Sequence, residues 1–173
     1  MPYLQPVPEI QGWMGPGELS WLYEKAGQME SVVEIGSWKG RSTHALLSGC
    51  PGPVFAVDHF RGSPNELDGA HREATKQDIF ALFWKNVGHF KNLVIFRMES
   101  AVAAKYFANK SVDMVFIDSC HIAEAVVSDI KAWAPKYRKL LCGHDGTYRS
   151  VQQAIRECGL AYKLEGGIWI VAP

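Results

Sequence analysis

The chain has 173 residues, of which 47% are hydrophobic and 12% aromatic, a composition typical of one packed globular domain spanning 1–173. Its eighteen basic residues balance its eighteen acidic residues, so bulk charge gives no argument for binding nucleic acid or a membrane surface. The four cysteines are isolated, and neither a signal segment nor a membrane-spanning apolar run is visible. We therefore expect a cytoplasmic protein with free thiols that acts on a small molecule.

The first segment, residues 1–16, is predicted to form an N-terminal arm. Its prolines deny a regular helix, whereas Ile10, Trp13 and Met14 would be costly to leave in water. For the proline-rich first half of the arm, a tail without fixed structure is equally compatible. From residue 17 to residue 29, apolar side chains recur at helical spacing, which predicts a helix packed on a sheet.

A short β-branched run, residues 31–35, leads into two glycines four apart, Gly36 and Gly40. The residues after Gly40 favour a helix, so the glycines mark a corner between a strand and a helix. Glycines let a ligand approach the backbone, and free N–H groups at a helix start attract an anionic group. The pattern lacks the third glycine of a dinucleotide-binding turn, and Glu34 suits a cationic ligand. A tight turn that binds no ligand is the alternative.

The second strand, residues 54–58, ends in the acid Asp58. In a doubly wound sheet ligands lie beyond the carboxyl ends of the strands, where an acid can accept hydrogen bonds from both hydroxyls of a ribose. Asp58 therefore supports a ribose without distinguishing between a nucleotide and an adenosyl cofactor. The polar, turn-rich residues that follow, together with a helical pattern at 77–89, are predicted to cover the active site as one segment, 59–90.

The third strand, residues 93–96, is followed by Glu99 and Ser100 and then by a helical pattern at 101–108. This turn is expected at the same sheet edge as Asp58. Ser100 can cap the helix or contact a ligand, and the two roles are compatible.

The fourth and fifth strands end in acids and histidines: Asp118 and His121 after one, His144 and Asp145 after the other. The ends of adjacent strands lie about 5 Å apart, so Asp118 and Asp145 either share a cation or repel each other. An imidazole can take a hydroxyl proton near pH 7, and a capping or packing role is the alternative for His121. The fourth strand is predicted within residues 112–121, where four apolar residues lead into Asp118, and the fifth strand is predicted at 137–142. A helix is predicted at 122–133 between them.

The C-terminal residues complete the topology. A helix is predicted at 151–158, and two strands at 160–164 and 168–171 flank a glycine-containing hairpin turn. With the five earlier strands, this predicts an α/β fold: a Rossmann-like, doubly wound, seven-stranded sheet, mostly parallel with an antiparallel C-terminal hairpin.

The motif V-V-E-I-G-S-W-K-G-R-S at residues 32–42 resembles motif I of class I S-adenosylmethionine (SAM) methyltransferases, particularly small-molecule O-methyltransferases of the catechol type. Three further segments resemble a family that includes sugar and macrolide O-methyltransferases and cephalosporin-hydroxylase-like proteins. They are G-W-M with the helix after it, D-x-x-x-G-S at 58–63 and F-I-D-x-x-H at 116–121. The resemblance covers nearly the whole chain.

This resemblance implies a set of cofactor contacts. Glu34 would hold the methionine ammonium group directly or through water, Asp58 the ribose, and Ser100 with Glu99 the adenine. Four residues would shape the methionine pocket: Gly36, Trp38, Gly40 and Ser42. Asp118 is expected to contact the cofactor and to position either the acceptor or a metal ion.

The resemblance also implies a catalytic group. The catechol enzymes have a base three residues after the acid of the fourth strand, which makes His121 the proposed general base. Relatives bind a divalent ion with acids or amides, so Asp118, His144 and Asp145 are candidate metal ligands. Mg²⁺ prefers oxygen donors, and His144 therefore favours Mn²⁺ or a metal-free site. Without a metal, His144 is a rival base.

We expect a SAM-dependent methyltransferase that acts on a hydroxyl of a small molecule, with or without a divalent ion. The alternative is a SAM-binding protein of the cephalosporin-hydroxylase-like type with another reaction or an accessory role. A NAD-linked oxidoreductase is disfavoured by the missing third glycine, and a Ser or Cys hydrolase has no supporting motif. The acceptor pocket is expected to be open or completed by a second copy of the chain.

Overall fold

The computed structural model describes residues 9–63 and 70–171. Its centre is a seven-stranded sheet in which β1 (Val32–Ile35) is flanked by β2 (Val54–Val57) and β4 (Val112–Ile117). The spatial order of the strands, numbered along the chain, is β3-β2-β1-β4-β5-β7-β6. The remaining strands are β3 (Leu93–Phe96), β5 (Tyr137–Gly143), β6 (Tyr162–Glu165) and β7 (Ile168–Val171).

Five strands run parallel, and the C-terminal pair reverses direction. β5 pairs in parallel with β4 but antiparallel with β7, which forms a hairpin with β6. The predicted mostly parallel sheet with an antiparallel hairpin is confirmed. Because the strand order reverses between β1 and β4, their carboxyl ends open a crevice where ligands bind in such sheets.

Helices cover both faces of the sheet. One face carries α1 (Pro16–Ala26), α2 (Arg41–Gly49) and α4 (Ile79–Val87), and the other carries α5 (Ser100–Ala103), α6 (Ala123–Trp133) and α7 (Arg149–Glu157). A short α3 (Ala70–Ala74) precedes α4, and a 3₁₀ turn (Ala104–Tyr106) follows α5.

The strand pleat explains the two cores. Val32 of β1 packs into the core under α1 and α2, whereas its neighbour Val33 packs into the opposite core, because successive side chains of a strand point to opposite faces. All four residues of β1 are buried, as expected for a central parallel strand covered on both faces.

Several element boundaries differ from the sequence prediction. α1 ends at Ala26 rather than residue 29, and Gly27 caps it. α4 begins at Ile79 rather than residue 77, since the Asp78 carboxylate accepts the Ala81 N–H at 3.0 Å and fixes the helix start. The helix predicted at 101–108 is a single α-turn followed by the 3₁₀ turn, and α3 lies within a predicted loop.

The arm is ordered over its described part, from residue 9 onward. Ile10 and Met14 are buried, as predicted, but Trp13 is 62% exposed. Residues 1–8 lie outside the described residues. Within 9–63 and 70–171, no helix has the length and apolar character needed to cross a membrane.

Candidate active site

A cavity of about 410 Å³ lies at the carboxyl ends of the parallel strands. Its walls come from the segments that follow β1, β2, β3, β4 and β5, and from Gln11 to Met14 of the arm. The predicted residues that line it are Gly36, Trp38, Ser42, Asp58, Glu99, Ser100, Asp118, His121, His144 and Asp145. The fold therefore brings together residues that are up to 109 positions apart, from Gly36 to Asp145.

Glu34 does not line the cavity. Its carboxylate is fully buried below the corner turn, where it accepts the Ser42 hydroxyl at 2.5 Å and the Thr43 hydroxyl. Burial raises the pKa of Glu34 to about 7, although the hydroxyls of Ser42 and Thr43 act in the opposite direction. Glu34 thus fastens β1 to the start of α2.

The corner turn requires glycine at two places for different reasons. Gly36 has φ +88°, and a Cβ there would lie 2.0 Å from the Asp118 carbonyl oxygen. Only glycine therefore allows the residues that follow β1 and β4 to pack this closely. Gly40 has φ +90° and begins α2, and a Cβ there would press on Val87 and Phe83 of α4. Gly40 therefore serves helix packing, outside the cavity wall.

Asp58 is held in place by the backbone around it. Its two carboxylate oxygens accept the Trp38 N–H at 2.8 Å and the Phe60 N–H at 2.6 Å. Burial raises the pKa of Asp58, and these hydrogen bonds oppose the shift. Each carboxylate oxygen has two lone pairs, so Asp58 retains acceptor capacity toward the cavity.

The segment after β3 differs from the prediction in one respect. Ser100 is the first residue of α5, whose N-cap is Glu99, so Ser100 does not cap the helix. The Ser100 hydroxyl instead accepts the indole N–H of Trp133 at 2.8 Å. Glu99 is 57% exposed and pairs with Arg61.

Of the predicted active-site cover at 59–90, the described residues that line the cavity are His59, Gly62 and Ser63. α4 does not cover the site, since Ile79 and Phe83 are buried in the core under the sheet. The segment 64–69 falls outside the described residues.

His144 lies among three carboxylates. Its Nδ1 is 3.2 Å from Asp145 Oδ2 and 3.5 Å from Asp118 Oδ1, and its Nε2 is 3.1 Å from Glu18 Oε1. Burial alone would lower the pKa of His144, but hydrogen bonds and charge from Asp118 and Asp145 raise it to about 11. His144 therefore holds the two strand-end acids together as a cation.

His121 approaches the same acids from the segment after β4. Its Nε2 lies 2.5 Å from Asp145 Oδ2, and its ring is 29% exposed. Burial would raise the pKa of Asp145, but hydrogen bonds and charge from His121 and His144 outweigh burial and hold it well below its usual range. An acid ionised in this way orients an imidazole and stabilises its protonated form.

The residues suited to a metal ion differ in one member from the predicted set. Asp118, His121 and Asp145 each offer a ligand atom, and these atoms lie within 4.8 Å of one another. His144, whose nitrogens face Glu18 and Asp145, does not belong to this group. By spacing and donor type the three residues fit a divalent cation.

The arm forms part of the cavity wall. Arg41, at the start of α2, donates to the carbonyl oxygens of Ile10 at 2.7 Å and Met14 at 2.9 Å. Lys39 Nζ reaches Gln11 Oε1 at 2.6 Å. Hydrogen bonds from charged donors are stronger than neutral ones, so the corner turn pins the arm over the cavity.

A family model described as "Methyltransferase domain" matches residues 33–160. This is the region from β1 to the end of α7 that carries every cavity segment except the arm. The chain belongs to this family, the class I SAM-dependent methyltransferases. No curated protein matches the methyltransferase chain significantly.

Solved structures share the fold of this methyltransferase at low sequence identity. A cofactor-bound protein from MTB is 17% identical with a TM-score of 0.64, over 96% of this chain and 83% of that chain. An S-adenosylhomocysteine (SAH)-bound methyltransferase from Podospora anserina is 12% identical with a TM-score of 0.64, over 92% and 79%. A SAM-dependent O-methyltransferase from Thermotoga maritima is 15% identical with a TM-score of 0.63, over 93% and 66%.

Sequence reasoning missed two acids of the methyltransferase site. Glu18 lies at the third position of α1, where its Oε2 accepts the Gly15 N–H at 2.9 Å. This is one half of a capping box, and the Ser/Thr-x-x-Glu signature is missing because the N-cap is glycine. Asp129 lines the cavity from α6 and accepts the Ser119 hydroxyl at 2.5 Å. Its signal was an acid on the apolar face that also carries Val126 and Trp133.

Proposed function

We propose that this methyltransferase moves the methyl group of SAM to a hydroxyl oxygen of a small-molecule acceptor. The observation that carries the proposal is the opening of two groups into one cavity: the Asp58 carboxylate and the His121–Asp145 pair. The Asp58 carboxylate suits a ribose, and the His121–Asp145 pair suits removal of a hydroxyl proton.

The cavity fits the cofactor in size and chemistry. Its volume of about 410 Å³ falls within the range of about 300–1,000 Å³ of small-molecule sites. Asp58 would accept hydrogen bonds from the ribose, and Gly36, Trp38 and Ser42 would border the methionine part. Solved relatives of the same fold that are described as cofactor-bound and SAH-bound support this assignment.

When bound, SAM supplies an activated methyl group on a sulfonium, so the protein has to orient the acceptor and remove its proton. His121 would take that proton. In a neutral imidazole the nitrogen that faces a carboxylate carries the hydrogen, which places it on Nε2 beside Asp145 and the basic lone pair on Nδ1. The ionised Asp145 would stabilise the imidazolium that forms.

His144 suits a different task. With its pKa raised to about 11, it stays protonated near neutral pH and cannot accept a proton there. It would hold Asp118 and Asp145 in position, with Asp118 at the border of cofactor and acceptor. This favours His121 over His144 as the base.

A second candidate is metal-assisted O-methylation. The clustering of ligand atoms from Asp118, His121 and Asp145 favours it. A divalent ion there would polarise the acceptor oxygen and lower its pKa. His121 would then be a ligand, and the proton would go to another group.

Calorimetry with SAH tests the proposal, using metal-stripped protein and then protein supplied with Mg²⁺ or Mn²⁺. We expect micromolar binding that is lost in Asp58→Ala and weakened in Asp58→Asn, which keeps one acceptor for the backbone N–H groups. A metal-dependent change that is lost in Asp118→Ala would favour the second candidate.

Turnover separates an enzyme from a binding protein. Purified protein is incubated with methyl-labelled SAM and a panel of small hydroxyl acceptors, with His121→Ala as the comparison. Transfer to oxygen that is lost in His121→Ala supports the proposal. Tight SAH binding without transfer to any acceptor would support an accessory role, and no binding under any condition would reject the methyltransferase proposal.

A further inference from the structure

The two edge strands of the sheet differ in their side chains. β6, at one edge, carries Lys163 and Glu165, whose side chains pair at 2.7 Å. Charged side chains on an edge strand discourage pairing with a further strand. β3, at the opposite edge, has four apolar residues, 93–96, and no charged one. β3 therefore lacks the protection that β6 has.

Part of the β3 backbone faces away from the sheet. The Phe96 carbonyl oxygen accepts the Asp58 N–H at 3.2 Å, so Phe96, and with it Val94, is directed at β2. Successive residues of a strand direct their N–H and C=O groups to opposite sides, and Leu93 and Ile95 therefore present theirs outward. Within the described part of the chain, no residue hydrogen-bonds to these outward groups. Such an edge is a template for another strand.

Exposed apolar side chains lie beside this edge on one face of the sheet. Val94 and Phe96 point to the same face, as side chains two positions apart in a strand do. Val94 is 39% exposed, and Tyr106, whose ring centroid lies 5.9 Å from that of Phe96, is 69% exposed. Val102, four residues before Tyr106, is 43% exposed. Large apolar side chains grouped in this way mark an interaction surface.

We propose that the β3 edge is the interface of a homodimer, in which the β3 strands of two copies pair antiparallel about a two-fold axis. Such an axis brings the same surface of both copies together. The outward residues select the register. With Ile95 opposite Ile95 of the second copy, Leu93 comes opposite Arg97 and Val94 opposite Phe96. Both the outward backbone groups and the exposed apolar side chains are then covered.

Charge favours a second copy of the chain in this register. Lys91 and Glu99 are exposed on either side of β3, and the two-fold axis brings each toward its counterpart of opposite sign. With Val94 on the axis instead, Lys91 would approach Arg97, and like charges opposite each other are destabilising. The chain has eighteen basic and eighteen acidic residues, so net charge does not keep two copies apart.

Sedimentation velocity of the full chain across the micromolar range tests the proposal. We expect wild type to sediment with twice the mass of one chain. Val94→Lys places two charges near the axis and should weaken association at least about tenfold. Leu164→Lys is the matched control, because Leu164 is 41% exposed on β6. The same change at that edge should leave the dimer intact.

Amide hydrogen exchange provides a second measurement. The Leu93 and Ile95 amides should exchange at least about tenfold more slowly in the dimer than after dilution or in Val94→Lys. Tyr106→Ser, at an exposed position, is a second disrupting variant should Val94→Lys fold poorly. A monomeric wild type throughout the micromolar range, or association that is unchanged in both variants, would overturn this inference. Protection of these two amides in a monomer would also overturn it, since another part of the chain would then cover the edge.

Discussion

His144 Nε2 lies 3.1 Å from Glu18 Oε1, which ties the end of β5 to the first turn of α1. The other oxygen of Glu18 accepts the Gly15 N–H at 2.9 Å. One side chain thus joins the arm, a helix start and the acid–imidazole cluster of the site.

The pH dependence of stability should report on His144. Its pKa is raised from 6.5 to about 11, so its contribution to the free energy of unfolding is complete below pH 6.5 and is lost as pH rises through about 11. In metal-free buffer, the stability gap between wild type and His144→Gln should narrow from about pH 7 to about pH 10. One proton allows at most about 1.4 kcal/mol per pH unit. Urea unfolding at each pH measures this gap, and a constant gap would contradict the prediction.

Glu34 should act in a lower pH window. Burial raises its pKa from 4.5 to about 7. The contribution of this shift to the free energy of unfolding is therefore complete below pH 4.5 and is lost as pH rises through about 7. Wild type should therefore lose stability relative to Glu34→Gln between about pH 5 and about pH 8. Denaturant unfolding of both proteins tests this, and the exposed Glu157→Gln should show no such change.

Gly36 should not tolerate alanine. Gly36 has φ +88°, and the added Cβ would lie 2.0 Å from the Asp118 carbonyl oxygen. Backbone strain and displacement of β4 should lower the free energy of unfolding by more than about 3 kcal/mol. Gly166→Ala is the matched control, because Gly166 also has positive φ (+63°) but nothing lies within 4 Å of its Cβ position. The free energy of unfolding of that control should fall by only about 1–2 kcal/mol. Equal losses in thermal unfolding would show that steric contact is unimportant.

Arg41 should determine how firmly the arm closes the cavity. Arg41→Ala removes the donors to the Ile10 and Met14 carbonyl oxygens, so amide exchange at residues 10–14 should become at least about tenfold faster. SAH affinity should fall with it, since those residues line the cavity. Hydrogen-exchange mass spectrometry and calorimetry measure the two effects. Arg156→Ala, at an exposed position of α7, should leave both unchanged, and an unaltered arm in Arg41→Ala would count against this role.

Much of the fold was predictable because its signals are local. A strand or a turn can be recognised from a few consecutive residues, because strand pleat and turn geometry depend on neighbours along the chain. This applies to the run at residues 31–35, to the two glycines and to the acids at the strand ends. From these signals the sheet class, the hairpin and the approximate position of the cavity followed. Ser100 and Asp58 were predicted at the sheet edge that borders the cavity because each follows the end of a strand.

What local signals could not determine was where side chains point and which distant groups they meet. Glu34 turns under the corner because Ser42 and Thr43 offer it hydroxyls. His144 meets Glu18, 126 positions away, only because α1 packs beside the end of β5. The sequence alone determined the strands, the corner turn and the chemical types gathered at one sheet edge. Tertiary packing decided which imidazole is locked between carboxylates and which one stays partly exposed in the cavity, where we propose that it takes a proton. Burial and charge depend on neighbours that only the folded chain brings together.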